Sequence, residues 1–166
     1  MADINKDQSN YVFGVVKNYD HALGLSVCFR QWSDSSHCHF LHGYALRVSL
    51  EFVSLELDSR NWVIPFGGLK EIKQYLVDNF DHKTFVAETD PELEMFKQLH
   101  EKQIIDLLVV PALSVELFAK MIFERVSEWL EAGRAQYGNA VLRKVSVSEH
   151  DANHGYYEDI NWQQKL

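Results

Sequence analysis

The sequence predicts an α+β fold in which an antiparallel four-stranded sheet carries two helices on one face. Three observations predict it: apolar and polar residues alternate over 44–52, two segments carry apolar residues three to four positions apart, and a second alternation covers 141–149. Alternation puts one set of side chains on one face of a strand, whereas the wider spacing makes one apolar stripe along a helix. Strands at the start of the chain followed by helices favour helices on one face of an antiparallel sheet.

Four segments are predicted to be strands. The first is a short apolar run that follows several turn residues, and the second is the alternation after Gly43. The third contains Pro65, which cannot donate a hydrogen bond to a neighbouring strand and therefore suits a strand end or an edge. The fourth ends near Glu149. The predicted strands are 25–29, 44–52, 62–66 and 141–149.

Two helices are predicted after the third strand. The first follows Gly67-Gly68 and has its apolar residues at 69, 72, 76 and 80. The second begins at Ser114, a residue type that caps helices, with Glu116 placed favourably in the first turn, and it ends at Gly133. The polar connection 88–102 has no predicted structure, and we expect a single domain over residues 1–166.

Composition limits the partners and the location. A net charge of -8 with only 16 basic residues argues against a nucleic-acid surface, so a small molecule or another protein is the expected partner. The apolar run 104–113 is about half the ~20 residues that a membrane helix requires. Residues 1–10 are polar and do not resemble a secretory signal, so we expect a cytoplasmic protein without a membrane span, whose Cys28 and Cys38 are free thiols.

The chemically richest segment surrounds Cys38. His37, His39 and His42 place three of the eight histidines within six residues of chain. A cysteine near imidazole is activated as a thiolate and can accept a proton, and imidazole also binds metals. A buried free cysteine and a satisfied strand histidine are the structural alternatives.

Four motifs occur in a characteristic order. Cys-x-x-x-His-Gly begins at Cys38 and leads into an alternating strand, Asp81-His82 follows the first helix, Ser-x-Glu opens the second helix, and Glu149 lies near the end of the last strand. Over roughly residues 11–159 this order and spacing resemble the 6-pyruvoyltetrahydropterin synthase and 6-carboxytetrahydropterin synthase family. The resemblance implies the tunnelling fold, whose subunits form trimers with a β-barrel, usually stacked into hexamers, with active sites at subunit interfaces.

The resemblance also implies a role for each motif. Cys38 matches the catalytic thiol, and Asp81 and His82 match the pair that works with it. Glu149 matches the carboxylate that anchors the pterin ring, because one carboxylate can accept hydrogen bonds from two parallel N–H groups. Ser114 and Glu116 match the helix start that contacts the pterin, although a helix cap and a dipole partner explain them equally well. Asp81-His82 also has a structural alternative as a turn.

The zinc site of the family is incomplete in this chain. The family binds zinc with three histidines, of which His42 remains, whereas Phe29 and Tyr44 occupy the other two positions. Either His37 and His39 complete a Zn²⁺ site with His42, with His150 and His154 as more remote candidates, or the protein operates without zinc.

The resemblance implies a lyase that acts on 7,8-dihydroneopterin triphosphate. The 6-carboxytetrahydropterin branch releases acetaldehyde and triphosphate on the way to 7-deazaguanine (queuosine-type) bases, and the other branch forms 6-pyruvoyltetrahydropterin. Lys17, Arg30 and Arg47 are candidates for the triphosphate. A non-catalytic pterin- or purine-binding protein and a zinc-independent aldolase or epimerase are the alternatives.

Overall fold

A computed structural model describes residues 11–166, except for the side chain of Ala135. Residues 1–10 belong to the predicted single domain, and their polarity underlies the expected cytoplasmic location. They lie outside the described residues. Among the helices of residues 11–166, none combines the length and the hydropathy needed to cross a bilayer.

Seven strands and four helices occur in the described part of the chain, and they are joined by loops and 3-10 turns. In chain order they are β1 (Phe13–Tyr19), β2 (Leu25–Phe29), β3 (His42–Ser54), α1 (Lys70–Phe80), β4 (Lys83–Ala87), α2 (Leu93–Glu101), β5 (Asp106–Val110), α3 (Val115–Ala132), α4 (Arg134–Tyr137), β6 (Val141–His150) and β7 (Asn153–Glu158).

The strands form one mixed sheet in the order β5-β4-β2-β3-β6-β7. The long strand β3 organises it. One edge of β3 pairs first with β2, from Phe29 opposite His42, and then with β1, whereas its other edge pairs with β6. The pairs of β3 with β1, β2 and β6 and the pair β6–β7 are antiparallel, but β4 runs parallel to both β2 and β5.

The predicted strictly antiparallel four-stranded sheet is therefore wrong, although the α and β content and three of the strands are confirmed. The predictions 25–29, 44–52 and 141–149 correspond to β2, β3 and β6. Segment 62–66 is not a strand. The Asp58 carboxylate accepts hydrogen bonds from the backbone N–H groups of Arg60 and Trp62, which turns the chain, and a 3-10 helix then starts at Phe66.

Both predicted helices are confirmed, and their apolar stripes form the core. Ile72, Leu76 and Phe80 of α1 are buried, as are seven side chains of α3. The stripes pack with the buried alternating residues of β3 and β6, and each fully buried large apolar side chain contributes about 1.5–3 kcal/mol. Besides these helices, α2 lies inside the segment 88–102 that had no predicted structure.

A buried ion pair fixes the chain where it leaves β2. Arg30 donates to both carboxylate oxygens of Asp90, from Nε at 2.8 Å and from a terminal nitrogen at 2.5 Å, and the Asp90 side chain is only 1% exposed. These hydrogen bonds lower the pKa of Asp90. The Arg30 guanidinium is thus engaged within the fold, contrary to its expected triphosphate role, and Arg47 faces Asp151 at 3.5 Å.

Asp90→Asn should lower the free energy of unfolding by about 3 kcal/mol, because it leaves a partly buried guanidinium without its charged partner. The folded-state pKa of Asp90 is depressed, so its stabilisation is fully present above the unfolded pKa of about 3.9 and is lost as pH falls through the lower folded value. Urea unfolding between pH 7 and pH 3 measures both effects. The matched control is Glu94→Gln, which removes an exposed pair with Lys97. Equal losses in the two variants, or a loss that does not shrink in acid, would contradict the prediction.

Candidate active site

The register between β2 and β3 brings three ring-bearing side chains to one face of the sheet. Phe29 lies opposite His42, and Val27 lies opposite Tyr44. The ring centroids are 5.1 Å apart for Phe29 and His42, 5.5 Å for His42 and Tyr44, and 6.2 Å for Phe29 and Tyr44. We call these three residues the aromatic cluster. It extends the core, because the ring of Phe29 also packs edge-on against Phe118 at 5.4 Å.

Gly43 allows the two strands to approach at this point. A Cβ atom built on Gly43 would lie 2.7 Å from the carbonyl oxygen of Val27. That oxygen belongs to the backbone of β2 and cannot rotate away as a side chain could. A glycine between His42 and Tyr44 is therefore a steric requirement of the pairing that forms the aromatic cluster.

Cys38 lies in the loop that connects the two strands of the cluster. The Ser36 hydroxyl accepts a hydrogen bond from the backbone N–H of Cys38 at 3.2 Å and caps the 3-10 turn His37–His39. The backbone N–H of Gln31 donates to the carbonyl oxygen of Cys38 at 2.8 Å. The thiol is exposed on a turn with defined hydrogen bonds, so it is accessible to a ligand.

Glu149 lies near the end of β6, where the register with β7 shifts between Ser148 and His150. Its side chain is half-buried, and within residues 11–166 no side chain or backbone N–H donates to its carboxylate. Burial raises the pKa of Tyr44, and the negative charges of Glu149 and Cys38 raise it further. The ring of Tyr44 also lies 6.3 Å from that of His150, the residue after Glu149, and 5.5 Å from that of His42, where the Cys38 loop joins β3. The segments that carry Cys38 and Glu149 therefore meet at Tyr44.

Ser114 and Glu116 occupy the first turn of α3. The Ser114 hydroxyl accepts from the backbone N–H of Leu117 at 3.2 Å, so the structural role as an N-cap is present. The exposed Glu116 side chain leans over β7, since its Cγ and Cδ atoms are 3.0 Å from the place of a Cβ on Gly155. Gly155 pairs with Val147, two residues before Glu149, so Glu116 lies over the strand next to the one that carries Glu149.

Asp81 and His82 form a pair at the other end of β2. The His82 Nδ1 atom is 2.7 Å from the Asp81 carboxylate, which also accepts from the backbone N–H of Ser26 at 3.3 Å. His82 has a left-handed backbone (φ 56) and a side chain that is 85% exposed. Ser26 is the second residue of β2, whereas the backbone of Cys38 is hydrogen-bonded to Gln31, two residues beyond the end of β2. Five residues of extended chain separate these two points by about 16 Å. One subunit therefore does not bring Asp81 and His82 to Cys38.

The cavity beside this pair has a volume of about 510 Å³. Its lining includes Cys28, His82 and His100. His100 was not predicted as a site residue because it lies in the polar segment without predicted structure. Its Nδ1 atom accepts from the backbone N–H of Leu107 at 3.2 Å, so a structural role is present.

The residues do not fit the zinc site of the resembling family. Phe29 has no donor atom, and Tyr44 replaces an imidazole with a phenol. The Nδ1 atoms of His39 and His42 donate to the backbone carbonyls of Ser36 and Phe40, at 2.6 and 2.7 Å, which leaves only their Nε2 atoms as donors for a metal. Across residues 11–166 no group of three or more histidine, cysteine or acidic side chains is placed to hold a metal ion, so His37, His39 and His42 do not converge into such a set within one subunit.

Comparison with known proteins identifies the family. The model of the 6-pyruvoyl tetrahydropterin synthase family matches residues 14–159. The chain belongs to this family. A curated relative, 6-carboxy-5,6,7,8-tetrahydropterin synthase of Helicobacter pylori, is 26% identical over 121 residues, which are 72% of this chain and 60% of the relative's length.

Several solved structures share the fold. An uncharacterized protein from Wolinella succinogenes superposes with a TM-score of 0.73 at 17% identity, over 90% of this chain and 99% of that chain. A catalytic-residue mutant of Plasmodium vivax 6-pyruvoyltetrahydropterin synthase gives 0.64 at 16% identity with the same coverage. The Caenorhabditis elegans 6-pyruvoyl tetrahydropterin synthase gives 0.54 at 18% identity, over 90% of this chain and 95% of that chain.

Gly43→Ala should destabilise the site region, because the added Cβ would meet the Val27 carbonyl oxygen. We expect a loss of about 1–3 kcal/mol in the free energy of unfolding and faster amide exchange in β2. The matched control is Gly14→Ala in β1, whose Cβ would be in ordinary contact at 3.8 Å. Urea unfolding and hydrogen exchange measure the two effects. The steric argument fails if both variants unfold alike.

Proposed function

We propose that this protein is a pterin-processing lyase that converts 7,8-dihydroneopterin triphosphate to 6-carboxytetrahydropterin, on a route to 7-deazaguanine bases in the cytoplasm. One observation carries the proposal: an exposed thiol and a half-buried carboxylate without a protein donor lie on segments that meet at Tyr44, whose ring is 5.5 Å from that of His42 and 6.3 Å from that of His150. Family membership supports the pterin, and the name of the Helicobacter pylori relative supports the carboxy branch.

Glu149 is the proposed ring anchor. A partly buried carboxylate without donors is costly, and a ligand that brings two parallel N–H groups removes that cost. The aminopyrimidinone edge of a pterin presents such a pair. The lean of Glu116 over β7 supports a role for this helix start at the rim of the same site, whereas Ser114 contributes the cap that holds it in place.

Cys38 is the proposed base. As a thiolate it would accept a proton from the substrate side chain, and His82, oriented by Asp81, would move that proton onward. Because His82 is highly exposed and lies about 16 Å along β2 from the Cys38 loop, we propose that Asp81 and His82 of a neighbouring copy complete each site.

The two outer strands of the antiparallel part of the sheet support such an assembly. β1 and β7 each pair on one edge only within the described residues, and exposed unpaired edges favour association with another strand. Both strands also expose large apolar or aromatic side chains, among them Phe13, Val16 and Tyr156. A trimer in which these edges pair would close a barrel, and stacking of two trimers would give the hexamer.

A non-catalytic pterin-binding protein is the second candidate, and the replacement of two family ligands by Phe29 and Tyr44 favours it. Incubation with 7,8-dihydroneopterin triphosphate distinguishes the candidates. Release of acetaldehyde with 6-carboxytetrahydropterin supports the lyase, and 6-pyruvoyltetrahydropterin would indicate the other branch. Binding of the pterin without any product would indicate the binding protein, and a lack of binding would reject both.

Glu149→Gln should weaken pterin binding about 10- to 100-fold, because it removes the charge from two hydrogen bonds and presents an N–H group to a donor. Fluorescence titration with 7,8-dihydroneopterin measures the change. The control Glu124→Gln alters an exposed carboxylate on α3 that pairs with Lys120 and should leave the affinity unchanged. Equal affinities in the two variants would remove Glu149 from the site.

Cys38→Ala and His82→Ala should each abolish turnover, and the two variants refolded together should regain part of it. If each site takes its thiol from one copy and its imidazole from the next, roughly a quarter of the sites in an equal mixture hold both groups. Acetaldehyde release from the mixture measures the recovery.

The control for the thiol is Cys28→Ala. Cys28 is half-buried in β2, and burial raises its pKa and keeps it protonated, so this variant should remain active. If turnover in the mixture of Cys38→Ala and His82→Ala is no higher than turnover in either variant alone, the site is not shared between copies.

A further inference from the structure

In the aromatic cluster, an apolar ring and a phenol occupy two of the three positions at which the family has histidine ligands. The strand register holds positions 29, 42 and 44 together on one face, so the geometry of a three-ligand site is preserved while its chemistry is changed. Phe29 is 3% exposed and packs against Phe118, so this position now belongs to the core. A catalytic zinc ion typically takes three protein ligands, and only His42 supplies an imidazole here.

Tyr44 is the polar member of the cluster, and its contacts orient it. Its ring meets His42 edge-on, with an interplanar angle of 89°, and is tilted against Phe29 and His150 at centroid distances of 6.2 and 6.3 Å. Aromatic contacts of this kind limit the positions that the ring can adopt. In the part of the chain that the structure describes, no protein group accepts a hydrogen bond from the Tyr44 hydroxyl, so it is available to a ligand.

We propose that Tyr44 donates a hydrogen bond to an oxygen of the substrate's side chain, and that this contact stands in place of metal ligation at the site. The inference rests on the proposed function. The Tyr44 ring lies 5.5 Å from that of His42, where the Cys38 loop joins β3, and 6.3 Å from that of His150, the residue after Glu149. With the pterin ring held by Glu149 and the reacting side chain next to Cys38, the atoms between them therefore pass Tyr44. A phenol with an ordinary pKa of about 10 keeps its proton at neutral pH, so it can donate without a change of charge.

Two ligands that share a ring and differ in the side chain test the hydrogen bond. Isothermal titration of Tyr44→Phe should show binding of 7,8-dihydroneopterin weakened about 3- to 10-fold, the effect of one lost hydrogen bond. The affinity for 6-methyl-7,8-dihydropterin, which lacks the side-chain hydroxyls, should change less than about twofold. Tyr75→Phe, which alters a half-buried tyrosine on α1, is the control and should change neither affinity.

The outcomes separate the inference from the proposed function. If the wild-type protein binds neither ligand, the proposed function fails and the inference fails with it. If the wild-type protein binds both and Tyr44→Phe loses equal affinity for both, or loses none, the contact with the side chain is rejected while pterin binding stands.

Zinc binding tests the replacement without any assay of activity. In equilibrium dialysis against Zn²⁺ the wild-type protein should not bind a stoichiometric ion at this site, whereas Phe29→His combined with Tyr44→His should bind about one ion per subunit, because the register places all three imidazoles on one face. One ion per wild-type subunit, lost in His42→Ala, would overturn the inference. This comparison decides the question even if the double variant fails to fold.

Discussion

The antiparallel register of β2 and β3 is the constraint on which the site depends. It sets Phe29 opposite His42 and Val27 opposite Tyr44, and Gly43 makes this close approach sterically possible. The connecting loop must then return to the same strand end, which brings Cys38 beside the cluster. Because β6 pairs along the other edge of β3, the end of β6 that carries Glu149 also lies beside Tyr44, where the ring of His150 is 6.3 Å away. A slip by one residue would turn the cluster to the other face of the sheet and separate it from the core.

The fold could be predicted from the sequence where one face of an element is buried and the other is not. The helices α1 and α3 and the strands β3 and β6 have this property, and their patterns are correspondingly clear. β4 gave no alternation because four of its five residues are buried, as expected for a strand paired on both edges and covered on its faces. The alternation of β1 is interrupted by a charged residue, Lys17, whose ammonium group lies over the rings of Tyr19 and Phe66. In 62–66 the composition suited a strand, but hydrogen bonds to Asp58 turned the chain.

The candidate site was predicted from sequence motifs, which identify residues but do not indicate how far apart they lie in the folded chain. They identified Cys38 and Glu149. They do not specify the pairings of β3 with β2 and β6 that bring the segments of both residues to Tyr44. They could not indicate that Asp81 and His82 lie at the far end of β2, because this depends on the parallel pairing of Val27 with Lys83. Nor could they indicate that Arg30 is occupied by Asp90, since these residues are 60 positions apart in the chain. Tyr44 was recognised as a missing ligand, and its unbonded hydroxyl became visible only in the structure.

In the proposed reaction, a site without metal ligands has different electrostatic requirements. A Cys38 thiolate and the Glu149 carboxylate would bring two negative charges near a neutral Tyr44, and the aromatic cluster would hold no metal cation to offset them. A cysteine remains a thiolate at neutral pH only with a positive neighbour or helix end to stabilise it. Histidine side chains flank Cys38 in its own loop, at His37 and His39, and the proposed shared site would add His82, which is hydrogen-bonded to Asp81, from a neighbouring copy. Contact between copies in the proposed assembly would therefore complete the set of basic side chains around Cys38 as well as the geometry of the site.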